Sequence, residues 1–164
     1  MRTDWDQYFM AMAHLAAVRS HDAQTQVGCV IVNEDNHVVS IGYNGFPADT
    51  KDENLPMIRP YKYPYMIHAE QNALANMIVK EKNLRAYITG YPCSVCSKIL
   101  WQNGIRKIIV DKHGVIYSMS DDDIKIINFL IENGLQIKEV DFEYSVFSNL
   151  NIKLKNKRAK DNVD

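Results

Sequence analysis

Several things are scarce in this chain, and each scarcity removes a class of protein. Cysteine is one: three in 164 residues give no basis for a disulfide framework and fit a reducing compartment. Long apolar runs are missing, since none reaches the ~18 residues of a membrane-spanning helix. The opening residues, Met1 to Asp6, are acidic where a secretory signal would be apolar, so the expected location is cytoplasmic with no membrane partner. Charge of one sign is missing too. Nineteen Lys and Arg against 20 Asp and Glu leave a net charge of -1, which argues against a surface built to hold nucleic acid. No internal repeat is visible, and 46% hydrophobic with 24% charged residues excludes a disordered chain.

What is present alternates between helical and extended patterns. Residues 3–19 carry Trp5, Tyr8, Phe9, Met12, Leu15 and Ala16 at spacings of three and four, which predicts a helix with one buried face. Thr3 and Asp6 suggest a capping box at its start. Val27–Val32 and Val38–Ile41, joined by Glu34-Asp35-Asn36, read as an antiparallel hairpin. Residues 48–66 show no periodicity and carry three prolines, and so long an irregular stretch is usually functional or an interface. Helices are predicted over Ala69–Val79, with Leu74 and Ile78 in its apolar stripe, over Val95–Gln102, and after a Ser120 cap. Strands are predicted over Arg85–Thr89, Ile105–Val110 and Leu135–Phe142. The order implies an α/β fold, a three-layer α/β/α sandwich around a mixed five-stranded sheet. One domain is expected over residues 1–150, with 151–164 a polar, basic, frayed tail.

The chemistry concentrates between residues 68 and 96. His68-Ala69-Glu70 is followed by Pro92-Cys93-Ser94-Val95-Cys96. One imidazole and two thiolates at CxxC spacing suit zinc, and three protein ligands leave a fourth tetrahedral position for water, the mark of a catalytic site. His68 and the two cysteines fall at helix starts, where thiol pKa values drop. Two thiolates cancel the formal charge of Zn²⁺, so Glu70 is needed as the base that takes the proton of the water. The pattern His-x-Glu with Pro-Cys-x-x-Cys is the signature of zinc nucleobase deaminases. A lone CxxC also occurs in redox pairs and in structural zinc sites. A structural site needs a fourth ligand, and the remaining cysteine, Cys29, lies in an apolar run that reads as core.

Further residues resemble the deoxycytidylate (dCMP) deaminase family over nearly the whole chain. They are Asp4-Trp5 with Tyr8-Phe9-Met10, Arg19-Ser20, Gln26-Val27-Gly28, Gly42-Tyr43-Asn44-Gly45, Tyr63-Pro64-Tyr65, Asn72-Ala73 after the His68 motif, and Pro92-Cys93 with Cys96. The resemblance implies the cytidine deaminase-like fold and conversion of dCMP to dUMP and ammonia, which feeds thymidylate synthesis. It implies a homo-oligomer, generally a hexamer, activated by dCTP and inhibited by dTTP, with Mg²⁺ as a companion of the effector nucleotide. By position, His68, Cys93 and Cys96 match the zinc ligands and Glu70 the proton shuttle. Asn44 matches an asparagine that contacts the substrate sugar, and Tyr117 a tyrosine near its phosphate.

Some relatives hold a second zinc through Cys and His in residues corresponding to 45–67, which contain neither here, so one zinc per chain is expected. Arg19 is a candidate phosphate ligand. It also fits as a cation in the last turn of a helix. Asn44 between glycines equally suits a tight turn at positive φ. Arg59, Lys62 and Lys112 read as surface charges, and Lys112–Ile116 as a loop longer than the family's. Two other functions share the metal motif. A tRNA adenosine deaminase would show a basic face and no Gly-Tyr-Asn-Gly-Phe-Pro. A silent zinc or nucleotide-binding sensor would not need Glu70.

Overall fold

The computed structural model describes residues 2–115 and 119–147. Helix α1 (Trp5–Ala17) leads into a hairpin of β1 (Gly28–Val32) and β2 (Val38–Tyr43). Then follow α2 (Ala69–Ala75), β3 (Leu84–Gly90), α3 (Ser94–Gln102), β4 (Ile105–Val115), α4 (Asp121–Glu132) and β5 (Gln136–Val140). The five strands form one sheet in the order β2-β1-β3-β4-β5. β1 pairs antiparallel with β2 and β3, while β3, β4 and β5 run parallel. The predicted mixed sheet and its helical layers are therefore observed.

Alternation along the strands separates two cores. Cys29 and Ile31 of β1, with Ile88, Ile108 and Val110, face α2, α3 and α4. Val30 and Val32, with Tyr87 and Ile109, face α1. Cys29 is fully buried, as its apolar surroundings predict. The hairpin turn is set by Asn33, whose side chain accepts from the backbone N–H of Asp35 and His37, and by Asn36 at φ 62°.

The structure corrects the sequence reading in places, and each correction has a local cause. Asp4, not Thr3, caps α1; its carboxylate accepts from the N–H of Asp6 and Gln7. Asp6 is engaged elsewhere, accepting from the Tyr87 hydroxyl at 2.7 Å and the Lys138 ammonium at 2.6 Å. The buried face of α1 is Phe9, Met10, Ala13, Ala16 and Ala17, whereas Trp5, Tyr8 and Leu15 are exposed. Close approach decides this: a Cβ on Gly28 would lie 1.8 Å from the Ala13 carbonyl oxygen, so the face pressed to β1 must be small.

α2 ends at Ala75, and Ile78 is 95% exposed rather than part of an apolar stripe. Asn76 closes that helix by turning its amide to the carbonyl of Ile41. Lys112 to Val115 extend β4 instead of forming a loop. Gly114 allows this, since a Cβ there would sit 2.0 Å from the Thr89 carbonyl oxygen. β5 is shorter than predicted, with Leu135 and Phe142 buried just outside its ends. The Ser120 cap is observed as a reciprocal box with Asp123. The proposed tail, 151–164, lies outside the described residues, and no helix among those described is long and apolar enough to cross a membrane.

Candidate active site

Residues 68 and 93 each stand immediately before a helix. His68 is the N-cap of α2, and its backbone N–H donates to Gln71 Oε1 at 2.9 Å. The helix is tied to β2 by Asn72, whose amide donates to the Tyr43 carbonyl, and by Ser40, whose hydroxyl donates to the Ala73 carbonyl. Cys93 is the N-cap of α3, and its sulfur accepts from the Cys96 N–H at 3.4 Å. Asp123 reaches across from α4 and accepts the Ser94 N–H at 2.9 Å, while also holding Ser120. That second duty of Asp123 was not visible in the sequence, where Asp121–Asp123 read as acidic residues at a helix start. The only signal would have been that Asp123 is half of a capping box and still has acceptor capacity left over.

These anchors bring His68, Cys93 and Cys96 together, with their ligand atoms within 4.8 Å of one another. His68 Nδ1 lies 3.7 Å from Cys93 Sγ and 3.4 Å from Cys96 Sγ. Tetrahedral zinc with ordinary Zn–N and Zn–S lengths requires roughly 3.6 Å between such atoms, so the donor set fits zinc in both type and spacing. Cys93 is pulled down to about 4, first by the hydrogen bond with the Cys96 thiol and further by His68. The same hydrogen bond, with burial, pushes the Cys96 thiol up. A divalent cation supplies the charge that lets both sulfurs ionise together.

Glu70, in the first turn of α2, is 4% exposed and stands outside the three-residue ligand cluster. Burial pushes its carboxyl above the ordinary range, against its own backbone N–H and the His68 charge, which favour the ionised form. His68 is shifted upward by the hydrogen bond to Cys93, against burial. His68, Glu70 and Cys93 line one cavity of about 630 Å³, which Thr25, Asn44 and Lys62 also line.

The other site candidates are placed unevenly. Asn44 is on the cavity wall, 7% exposed, and its φ is not positive, so a tight turn is not its role. Its amide bridges loops: Nδ2 donates to the Thr25 carbonyl at 2.8 Å, and Oδ1 accepts the Val27 N–H at 2.7 Å. Arg19 is exposed at the end of α1, 6.0 Å from the centre of the Tyr43 ring, and does not line the cavity. Tyr117 lies outside the described residues. Lys112 is a surface charge 3.9 Å from Asp141, as read. Arg59 is exposed but contributes to the cavity wall. Lys62 overturns its reading as a surface charge: it is 2% exposed and bonded to Asp22. Its partner is 40 residues away, and no local pattern announces it.

Fold and donor set together define an α/β protein with a candidate zinc centre at the start of two helices. Residues 3–112 match the cytidine and deoxycytidylate deaminase zinc-binding region, and the chain belongs to that family. It is 43% identical over 113 residues to the human protein named deoxycytidylate deaminase, a match covering 65% of this chain and 64% of that one. It is 35% identical over 108 residues to an Aliivibrio fischeri protein described as an uncharacterized deaminase in the luxG 3' region, covering 66% of this chain and 73% of that one. Among solved structures, a cyanophage S-TIM5 dCMP deaminase in complex with dCMP and dUMP superposes with a TM-score of 0.68. At 24% identity, over 85% of this chain and 99% of that one, the likeness speaks to the fold.

Proposed function

We propose that this protein hydrolyses the C4 amino group of dCMP, releasing dUMP for thymidylate synthesis and ammonia. One observation carries the reading: His68, Cys93 and Cys96 cluster at imidazole-to-sulfur spacings that fit zinc, and His68 and Cys93 share a cavity wall with the buried Glu70, which stands outside that cluster. The 43% identity to a protein named deoxycytidylate deaminase supports the choice of substrate. Zinc held by His68, Cys93 and Cys96 supplies the positive charge that makes water acidic enough to lose a proton near neutrality.

Glu70 accepts that proton as the water oxygen adds to C4, and passes it to ring N3. Glu70, ionised again, then takes the proton of the new C4 hydroxyl and delivers it to the amine. The C4=O bond forms as the C4–N bond breaks with its electron pair leaving on nitrogen, and ammonia departs. Burial suits Glu70 to this work, because a carboxyl raised toward neutrality both takes and gives a proton readily. Asn44 contributes the sugar-facing wall, and the phosphate is held at the loop end of the cavity.

By the same family resemblance the chain works as a homo-oligomer, a hexamer, with dCTP raising and dTTP lowering activity, and with Mg²⁺ accompanying the effector. Exposed Met57, Ile58, Tyr61 and Tyr63 on the irregular stretch support assembly, as an apolar surface a second copy would cover. The test is ammonia release by the zinc-loaded protein from dCMP, deoxycytidine, dCTP and a tRNA anticodon stem. dCMP should exceed deoxycytidine in kcat/KM by at least ~10-fold, the worth of one charge-assisted hydrogen bond to the phosphate. Turnover of the tRNA stem alone would replace this reading with a tRNA adenosine deaminase.

A further inference from the structure

Between β2 and α2 the chain runs through residues 44–67 with little regular structure: a single 3-10 turn at Tyr63–Tyr65 and one bridge between Gly45 and Ile67. This segment nonetheless walls the cavity through Asn44, Arg59, Lys62, Tyr63 and Met66. Among the described residues the Asn44 N–H to Val27 carbonyl bond ties it to the rest of the chain through backbone alone, and side chains supply further ties. The strongest tie among those described is Lys62, whose Nζ donates to Asp22 Oδ1 at 2.7 Å and Oδ2 at 2.8 Å. Lys62 is 2% and Asp22 3% exposed.

Asp22 also organises its own loop, between α1 and β1. Its Oδ1 accepts the N–H of Gln24 at 2.8 Å and of Thr25 at 3.0 Å, and its backbone N–H donates to Ser20 Oγ at 3.3 Å. From there the two loops are joined again. Gln24 Oε1 accepts the Arg59 N–H at 3.0 Å, the Arg59 guanidinium donates to Thr25 Oγ1, and the Thr25 carbonyl accepts from Asn44. Burial alone would raise the Asp22 carboxyl, but the Lys62 ammonium and the two N–H groups hold it below the usual range, so the carboxylate stays ionised.

Well-packed apolar residues often stabilise a protein as well as a buried ion pair does. What the pair adds is direction. An ammonium held by both oxygens of a carboxylate that is itself held by two backbone N–H groups has one place to be. We propose that Asp22 and Lys62 are positioning residues that lock the wall of Thr25, Asn44 and Arg59 in the place the substrate requires. The proposal rests on the deaminase reading only for the identity of the substrate.

The experiment uses the zinc-loaded full chain and the substitutions Lys62→Met, Lys62→Arg and Asp22→Asn, the last being the mildest if Lys62→Met fails to fold. Two quantities are read: amide hydrogen exchange over residues 44–67, and kcat and KM for dCMP separately. Lys62→Met and Asp22→Asn should speed exchange in that segment. They should raise KM by about tenfold or more, a displacement effect, with kcat within about threefold of wild type. Lys62→Arg, which can still donate to both oxygens, should recover most of the KM. Unchanged exchange in a folded variant overturns the lock. So does a lowered melting temperature with unchanged KM, which would make the pair structural only. If wild type itself fails to turn over dCMP, the substrate assignment has failed, and hydrogen exchange still decides the lock.

Discussion

Gly42 offers the sharpest test of how the fold delivers the site. It lies in β2 directly beneath α2, and a Cβ there would meet the Ala73 nitrogen at 2.2 Å, the Ala69 carbonyl oxygen at 2.5 Å and Ala73 Cα at 2.7 Å. Ordinary contact begins near 3.4 Å, so Gly42→Ala is more than 1 Å too tight, and every obstacle is backbone. Its φ is not positive, so alanine carries no conformational strain at this position. The helix must lift, against the Asn72 and Ser40 hydrogen bonds that hold it down.

Overpacking typically costs ~1–3 kcal/mol, and an immovable backbone puts this case near ~3. At ~2–4 °C per kcal/mol for a chain of this size, the melting temperature should fall by roughly 6–12 °C. α2 carries Glu70 and starts at His68, so a lift of ~1 Å should also lower kcat by up to ~10²-fold. The control is Gly45→Ala, whose nearest neighbour is the His21 ring at 3.1 Å, a side chain that can turn away; it should cost under ~1 kcal/mol. Calorimetry and steady-state kinetics on the two variants decide. A Gly42→Ala protein melting within ~2 °C of wild type with full activity would refute the claim that this contact sets the helix.

Other expectations follow from single contacts. Glu70→Gln should keep its zinc, since all three ligands remain, while kcat falls by ~10²–10⁴-fold or more and dCMP affinity holds; loss of metal by elemental analysis would make Glu70 a ligand instead. Asp123→Ala removes the acceptor of the Ser94 N–H beside Cys93, and should weaken zinc retention against a chelator by ~10-fold or more. Asp111 is buried and accepts from His14 at 2.8 Å; burial raises its carboxyl, but His14 and the His113 N–H outweigh this and hold it below the ordinary value. A depressed carboxylate stabilises the fold above its unfolded pKa of ~3.9 and stops doing so as pH falls through its lower folded value. Asp111→Asn should therefore melt below wild type at neutral pH, with the gap closing below about pH 4; a gap independent of pH in melting curves contradicts the assignment.

How legible all this was depends on the range over which each feature is decided. The ligand set is local: Cys93 and Cys96 are one helical turn apart, and His68 and Glu70 begin another helix, so spacing alone exposes them. The strand pattern is nearly as local, because burial on both faces leaves β1 continuously apolar. The face of α1 was misread because periodicity identifies large apolar residues, whereas Gly28, distant in sequence, demands small ones. The end of α2 was misread because Ile78 continues the period beyond Asn76, which closes the helix by bonding to the Ile41 carbonyl, and Ile78 is left exposed. Lys62 and Asp123 were hidden for another reason. A charged residue in a loop or at a helix start has an ordinary exposed reading, and only the fold brings the partner that buries or shares it.

Buried charge nevertheless separates into two kinds in this cavity, and the difference carries information. The Asp22 carboxylate faces an ammonium and backbone N–H groups, donors that all favour its ionised form, so its charge is fixed and its geometry with it. Glu70 is buried to a similar degree, yet its neighbours are the imidazole of His68 and the thiols of Cys93 and Cys96, groups that themselves exchange protons and bind metals. Burial there is offset incompletely, and the carboxyl moves up where the Asp22 carboxyl moves down. A charge that the fold neutralises fully can hold a wall but cannot give up or take a proton near neutral pH. A charge that the fold leaves poorly compensated is free to change state, at some cost in stability. On the proposed reading, the same cavity would use one acid to hold its shape and another to do chemistry, and the identity of the surrounding donors distinguishes them.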